Sequence, residues 1–177
     1  MRLPQVIVWE ADGWMARQLR ELAAEHRWLL RPVRSAQRIH QLLSPPDVCA
    51  VCLIQFEPWA DRREPLELIA QLHRSQPDVA VVAVSDVKLS EAERSAWTAA
   101  LFDLGARYVL FPPLTRPVLE DLVSGLMLAV IRRTVGVDPA LTSAASQPAG
   151  GLGHSSAAAS DHKDDHEPID LVDEDEP

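Results

Sequence analysis

The chain is short of several things that would have announced a function. It has seven glycines in 177 residues, and only Gly13, Gly105 and Gly125 precede residue 136. No segment has the glycine-rich turn that lets a backbone approach a nucleotide phosphate: EADGW, after the first apolar run, offers one glycine, and GGLG at 150–153 follows no strand. Aromatics are 5% of the chain, and the two cysteines, Cys49 and Cys52, are too few and too close for a disulfide framework. That points to a reducing cytoplasm. No apolar run approaches the roughly 20 residues of a membrane span; the nearest, from Val118, is interrupted by Glu120 and Asp121. The start, MRLPQVIVWEADG, ends its short apolar run in acids and has no small-residue cleavage pattern.

An excess of positive charge is also lacking. Residues 1–136 hold 16 Lys/Arg and 16 Asp/Glu, whereas residues 137–177 hold one base, Lys163, and ten acids, so the net charge of −9 lies wholly in the C-terminal segment. A neutral body argues against sequence-independent nucleic-acid binding, which needs clustered cations to displace counterions. An acidic end repels DNA and anionic membranes further. The expected setting is cytoplasmic, with no nucleic acid and no membrane.

What is present is a core-forming body, 47% hydrophobic, in which 14 prolines act as punctuation. Gln5–Glu10 reads as a first strand, and Gly13–His26 as a helix with Trp14, Leu19, Leu22 and Ala23 at helical spacing. Trp28–Val33 reads as a second strand, placed at an edge by Pro32, which cannot donate to a ladder. Ser35 caps a short helix carrying Ile39, Leu42 and Leu43. Val48–Ile54 and Val79–Val84 are continuous apolar runs, as expected of strands buried on both faces. Pro65 opens a third helix, Ser90 and Glu93 form a capping box for a fourth, and Gly105 ends it. Arg107–Phe111 is a fifth strand, and Thr115 begins a last helix to about Arg133. Five strands alternating with five helices predict an α/β fold: a three-layer, doubly wound parallel sheet of five strands. The expected domain is 3–135. Residues 136–177, an Ala/Gly/Ser-rich linker and an acidic tail, have the composition of disorder.

In such sheets ligands bind beyond the carboxyl ends of the strands. Those ends carry Glu10-Ala11-Asp12, then Gln55-Phe56-Glu57-Pro58, then Ser85-Asp86, and finally Phe111-Pro112-Pro113. Their order and spacing resemble the CheY-like receiver domains of two-component response regulators, flavodoxin-like in topology. GARYVLFPPLTRPVLEDLV is similar to the receiver pattern GAxxYLxKPFxxxxLxxxV. The resemblance covers about Pro4 to Arg133. It implies a pocket formed by Glu10, Ala11, Asp12, Gln55, Ser85 and Phe111, and three of these depart from the family. Receivers hold Mg²⁺ with paired acids after the first strand, but Ala11 replaces the second. Gln55 falls at the phosphoacceptor aspartate, or Ile54 does when the count runs back from Pro58. Phe111 falls at the conserved lysine. An amide forms no acyl phosphate, a hard cation wants several anionic oxygens, and an aromatic ring offsets no phosphoryl charge.

The expectation is therefore a stand-alone, degenerate pseudo-receiver. It is not an enzyme, has no catalytic residue, metal or cofactor, and acts by contact with a kinase, a regulator or a second copy. Two alternatives stand beside it: a phosphoacceptor with a rearranged site using Asp12 or Glu57, and a small-ligand-binding flavodoxin-like domain. Candidate contact residues are Trp97 on the fourth helix and Trp59 in the loop after the third strand. Val118, Leu122 and Met127 join them from a last helix whose apolar positions exceed one stripe. Ile169, Leu171 and Val172, set among acids, suit a peptide that orders on a partner. Cys49 and Cys52, three apart on a strand, should point to opposite faces. His162 and His166 are at most adventitious metal ligands, and His26, His40 and His73 read as surface residues.

Overall fold

The computed structural model describes residues 3–45, 48–61 and 63–135. The linker, His162, His166 and the apolar residues Ile169, Leu171 and Val172 lie outside them. Ten elements alternate without exception: β1 (Gln5–Trp9), α1 (Trp14–Glu25), β2 (Leu29–Val33), α2 (Ala36–Leu43), β3 (Ala50–Gln55), α3 (Glu64–Ser75), β4 (Ala80–Val84), α4 (Glu91–Asp103), β5 (Tyr108–Leu110) and α5 (Arg116–Val135). All strand pairs are parallel, in the order β2-β1-β3-β4-β5. The flavodoxin-like expectation holds, and Pro32 does lie on an edge strand.

The period-two alternation of strand side chains sorts the apolar residues into two layers. Along β3, Val51 and Leu53 join Val6, Val8, Val82 and Val84 under α1 and α5. Ala50, Cys52 and Ile54 join Ile7, Val81 and Ala83 under α2, α3 and α4. Each helix buries the stripe that its spacing supplies: Met15, Leu19 and Ala23 of α1, Leu68, Ile69 and Leu72 of α3, and Leu119, Val123, Leu126, Met127 and Val130 of α5. By contrast α4 buries one residue, Leu101. It starts at the expected capping box, with Ser90 Oγ accepting from Glu93 N and Glu93 Oε2 accepting from Ser90 N.

Several boundaries differ from the sequence reading. Trp28 is not in β2, because its N–H donates to Ala23 O (2.8 Å) and closes α1 behind Arg27, a left-handed residue at φ 56°. Its indole is buried and stacks on His26. β3 starts at Ala50 and β5 spans three residues. Gly105 ends α4 at φ 101°, and a side chain there would also collide with the His73 ring, so the position excludes Cβ twice over. His40 corrects the surface reading: it is half-buried, and its Nε2 is enclosed without a hydrogen-bond partner among the described residues.

The cysteines point to opposite faces as expected, Cys49 into one layer and Cys52 into the other. Burial pushes the Cys52 thiol from its ordinary 9.0 up to about 12. The folded chain therefore keeps this proton where the unfolded chain has lost it. The associated stability is complete below pH 9 and falls as pH rises towards 12, by about 1.4 kcal/mol per pH unit. Urea unfolding at pH 8 and near pH 10.5 should show this loss in the native chain and a smaller one in Cys52→Ala; equal alkaline losses would assign them to other groups.

Candidate functional site

The sheet reverses its winding beside β1, whose neighbours are β2 on one side and β3 on the other. The crevice expected at such a switch point is present. A cleft of about 440 Å³ opens over the ends of β1 and β3, lined among others by Trp9, Glu10, Ala11, Arg34, Gln55, Glu57, Glu64 and Asp86. Its floor is built from polar groups that already have partners.

Glu10 leaves β1 and is 5% exposed. Gly13 follows at φ 77°, turning the chain so that the first turn of α1 faces back over the strand end. Glu10 Oε2 accepts from Met15 N (2.7 Å) and Oε1 from Ala16 N (3.0 Å). Gly13, at the N-cap, has no side chain to do this, so the carboxylate three residues earlier satisfies two N–H groups that the helix leaves without partners. It also places a negative charge at the positive end of the helix dipole. Across the crevice, Gln55 ends β3, and its Oε1 accepts from Ala11 N (3.0 Å). The amide thus ties the loop after β1 to the end of β3.

Next to Gln55, Phe56 is buried, with its N–H donating to Val84 O (2.9 Å). Its ring lies 6.0 Å from Phe111, edge to face, and 5.7 Å from Trp97 of α4. Trp97 in turn meets Trp59, 6.2 Å away and edge to face. Four rings thus run from the end of β5 across the end of β3 to α4 and the β3–α3 loop, at separations where aromatic pairs attract. The sequence reading gave Phe56 no role. The available signal was a large apolar residue directly after the strand-end polar position.

Of the six expected pocket residues, the structure brings Glu10, Ala11 and Gln55 together. Asp12 is exposed outside the cleft lining, and its carbonyl accepts from the Arg17 guanidinium (3.0 Å). Ser85 is fully buried beneath, its hydroxyl accepting from Val87 N (3.3 Å) while its own N–H donates to Leu110 O (3.0 Å). Phe111 turns away from the cleft into the aromatic row, and it lines a separate groove between α4 and β5. Glu57, the alternative acceptor, lines the cleft and is exposed. These residues do not fit the Mg²⁺ of a receiver. Both Glu10 oxygens are bonded to the helix, Gln55 contributes a neutral oxygen that Ala11 uses, and Asp12 stands apart.

The candidate contact residues divide. Val118 is exposed, Leu122 and Trp97 are half-buried, and Trp59 is 64% exposed. Met127 is corrected: it is wholly buried under the sheet, because the wide apolar band of α5 packs against β1, β3 and α1 together.

If Glu10 is a helix cap, Glu10→Ala should lower the free energy of unfolding by about 2 kcal/mol, the cost of stranding buried N–H groups. Asp12→Ala should change it by less than about 0.5 kcal/mol. Equal effects in urea titrations would remove the distinction between the two acids.

The sequence matches no protein-family model and no curated protein. Its fold is found widely among solved structures. A CheY-like response regulator receiver domain protein from Methanospirillum hungatei aligns with TM-score 0.56 and 13% identity, over 75% of this chain and 99% of that one. The signal receiver domain of a LuxO repressor protein from Vibrio parahaemolyticus aligns with TM-score 0.60 and 11% identity, over 76% and 97%. A pilus assembly-related protein from Burkholderia pseudomallei aligns with TM-score 0.52 and 20% identity, over 71% and 90%. Near-complete coverage of those chains, together with strand order 2-1-3-4-5, gives the described residues the fold of a response regulator receiver domain.

Proposed function

We propose that the protein is a receiver-like signalling module that works without phosphorylation, by contact with a protein partner, and catalyses no reaction of its own. The observation that carries this reading is the Gln55 amide at the end of β3, bonded to Ala11 N–H where a receiver would present a free carboxylate. An amide is no acceptor for a phosphoryl group. The helix-bound Glu10 and the aromatic Phe111 support the reading, since neither a cation nor a developing phosphoryl charge finds its complement there.

Partner contact is best supported at the groove between α4 and β5. It is a shallow, open groove of about 660 Å³ lined by Arg94, Thr98, Phe102, Val109 and Phe111, among others. Phe102 and Tyr108 are half exposed, and α4 presents most of its surface to solvent. A kinase, a regulator or a second copy of the chain would each meet an apolar surface edged by charge there. The rearranged-acceptor reading keeps one supporting observation, Glu57 in the cleft wall.

Titration with Mg²⁺ and beryllofluoride, a phosphoryl mimic, separates the readings. Trp9 lines the cleft and Trp59 stands beside it, so binding would alter indole fluorescence. The expected result is no saturable change and no amide shifts at Ala11, Gln55 or Ser85, together with no label from acetyl phosphate. Saturable shifts at those amides, or label abolished by Glu57→Gln, would overturn the proposal.

A further inference from the structure

The neutral body hides an uneven distribution. Between Gly13 and Pro45 the chain carries six arginines, Arg17, Arg20, Arg27, Arg31, Arg34 and Arg38, against two acids, Glu21 and Glu25, a balance of +4. This stretch is α1, edge strand β2 and α2, which form one margin of the molecule. All six arginines are exposed. Among the described residues, the carboxylate pairs within 4 Å involve only Arg116 and Arg133. The two acids do not neutralise the margin. Glu21 reaches across to Arg116 of α5 (2.6 Å); Glu25 and Arg17, one helical turn to either side, share that flank, which leaves five arginines towards β2. Arg20 lies about 100° round the helix from Glu21, on the side away from α5. Arg27 sits in the turn between α1 and β2, Arg31 on the strand and Arg38 in the first turn of α2. Arg34 stands at the upper end, where it shares the cleft with Glu57 and Glu64.

We infer that this arginine margin is the docking surface for the acidic end of the same chain, residues 164–176. The segment DDHEPIDLVDEDE carries eight acids and no Lys or Arg, the complement of the margin in sign. The 33 residues between Val135 and Ile169 span up to about 110 Å when extended, so reach does not limit the contact. Covalent connection makes the contact intramolecular, at an effective concentration set by the length of the connecting chain. The contact is made by side chains and not by strand addition. Leu29 N donates inward to Pro4 O (2.8 Å), so the alternate positions Leu30 and Pro32 face outward, and proline has no N–H to offer there. That leaves arginine forks, which grip carboxylates bidentately, as the means of recognition.

The test uses the full-length protein with a nitroxide attached at Asp173→Cys. Cys49 and Cys52 are buried, so the label reaches the new thiol alone. Paramagnetic loss of amide intensity is expected at residues 27–38. It should disappear at about 1 M salt, where the screening length falls to about 3 Å, and in the Arg27→Gln/Arg31→Gln/Arg38→Gln variant. Its amide spectrum also reports whether that variant is folded; neutralising the tail instead, with Asp164, Asp165 and Asp170 each →Asn, should weaken the loss without touching the domain. Loss confined to α4 and β5, loss persisting in 1 M salt, or no loss anywhere would overturn the inference. So would broadening that appears only between labelled and isotope-labelled copies, which would make the occupant a second chain. Saturable shifts of the same amides on adding duplex DNA, with no tail-dependent broadening beforehand, would assign the margin to nucleic acid and overturn it equally. None of these outcomes depends on phosphorylation at the cleft.

Discussion

Two hydrogen bonds to one carboxylate organise the end of the molecule where function would be expected. Glu10 is almost fully enclosed, and a buried carboxylate is tolerable only when its charge is met. Here the helix N-terminus meets it, through Met15 N and Ala16 N. The consequences run outward. Gly13 must adopt a left-handed conformation to present those N–H groups, the loop before it must pass close to the end of β3, and Ala11 N then faces Gln55. A metal ion drawing on Glu10 would have to compete with the helix for the same oxygens. The cap and the ion are alternative uses of one side chain, and this chain adopts the cap.

The same exchange of external for internal partners recurs at the other strand ends. Where a receiver would set a lysine, Phe111 contributes a ring to a row that includes Phe56 and Trp97. A lysine there would have needed an anion or water. A phenylalanine needs only other apolar surface, and Phe56 is buried enough to supply it. The row also explains how α4 stays in place while burying only Leu101 among its residues. Trp97, half-buried, anchors the helix at mid-length, and Trp59 covers that contact from the loop after β3.

Much of this was legible in the sequence, and the rest was hidden for identifiable reasons. Apolar runs at Val48–Ile54 and Val79–Val84, the capping box at Ser90 and the proline in β2 each act locally, so element order and edge position followed directly. The opposed faces of Cys49 and Cys52 followed from strand periodicity alone. Met127 was misplaced because helical spacing separates a buried stripe from an exposed one only when the stripe is narrow. α5 packs on a sheet and on α1 at once, so its buried band is wide. Glu10 was seen as half of a broken metal pair because its true partners are backbone N–H groups, which no side-chain pattern displays. Asp12 looked equivalent to it by adjacency, yet one residue of chain separates a buried cap from an exposed loop carboxylate.

These arrangements bear on whether the fold can switch. A two-state element needs two packings of similar free energy, and close-packed interiors offer few. In this chain the loop after β1 is held by Gln55, the start of α1 by Glu10, and the end of β5 by contact with Phe56, which is itself pinned through its N–H to Val84 O. The Glu10 bonds and the Phe56 contacts are buried, so moving either strands a buried polar group or opens a void beside an aromatic ring, at a cost on the order of 1–3 kcal/mol each, whereas the exposed Gln55–Ala11 bond adds less. The two surfaces with unspent potential, the apolar groove beside α4 and the arginine margin along β2, lie on opposite edges of the sheet. A partner on one leaves the other free. Under the proposed reading, regulation acts by occupying or uncovering an edge of the sheet.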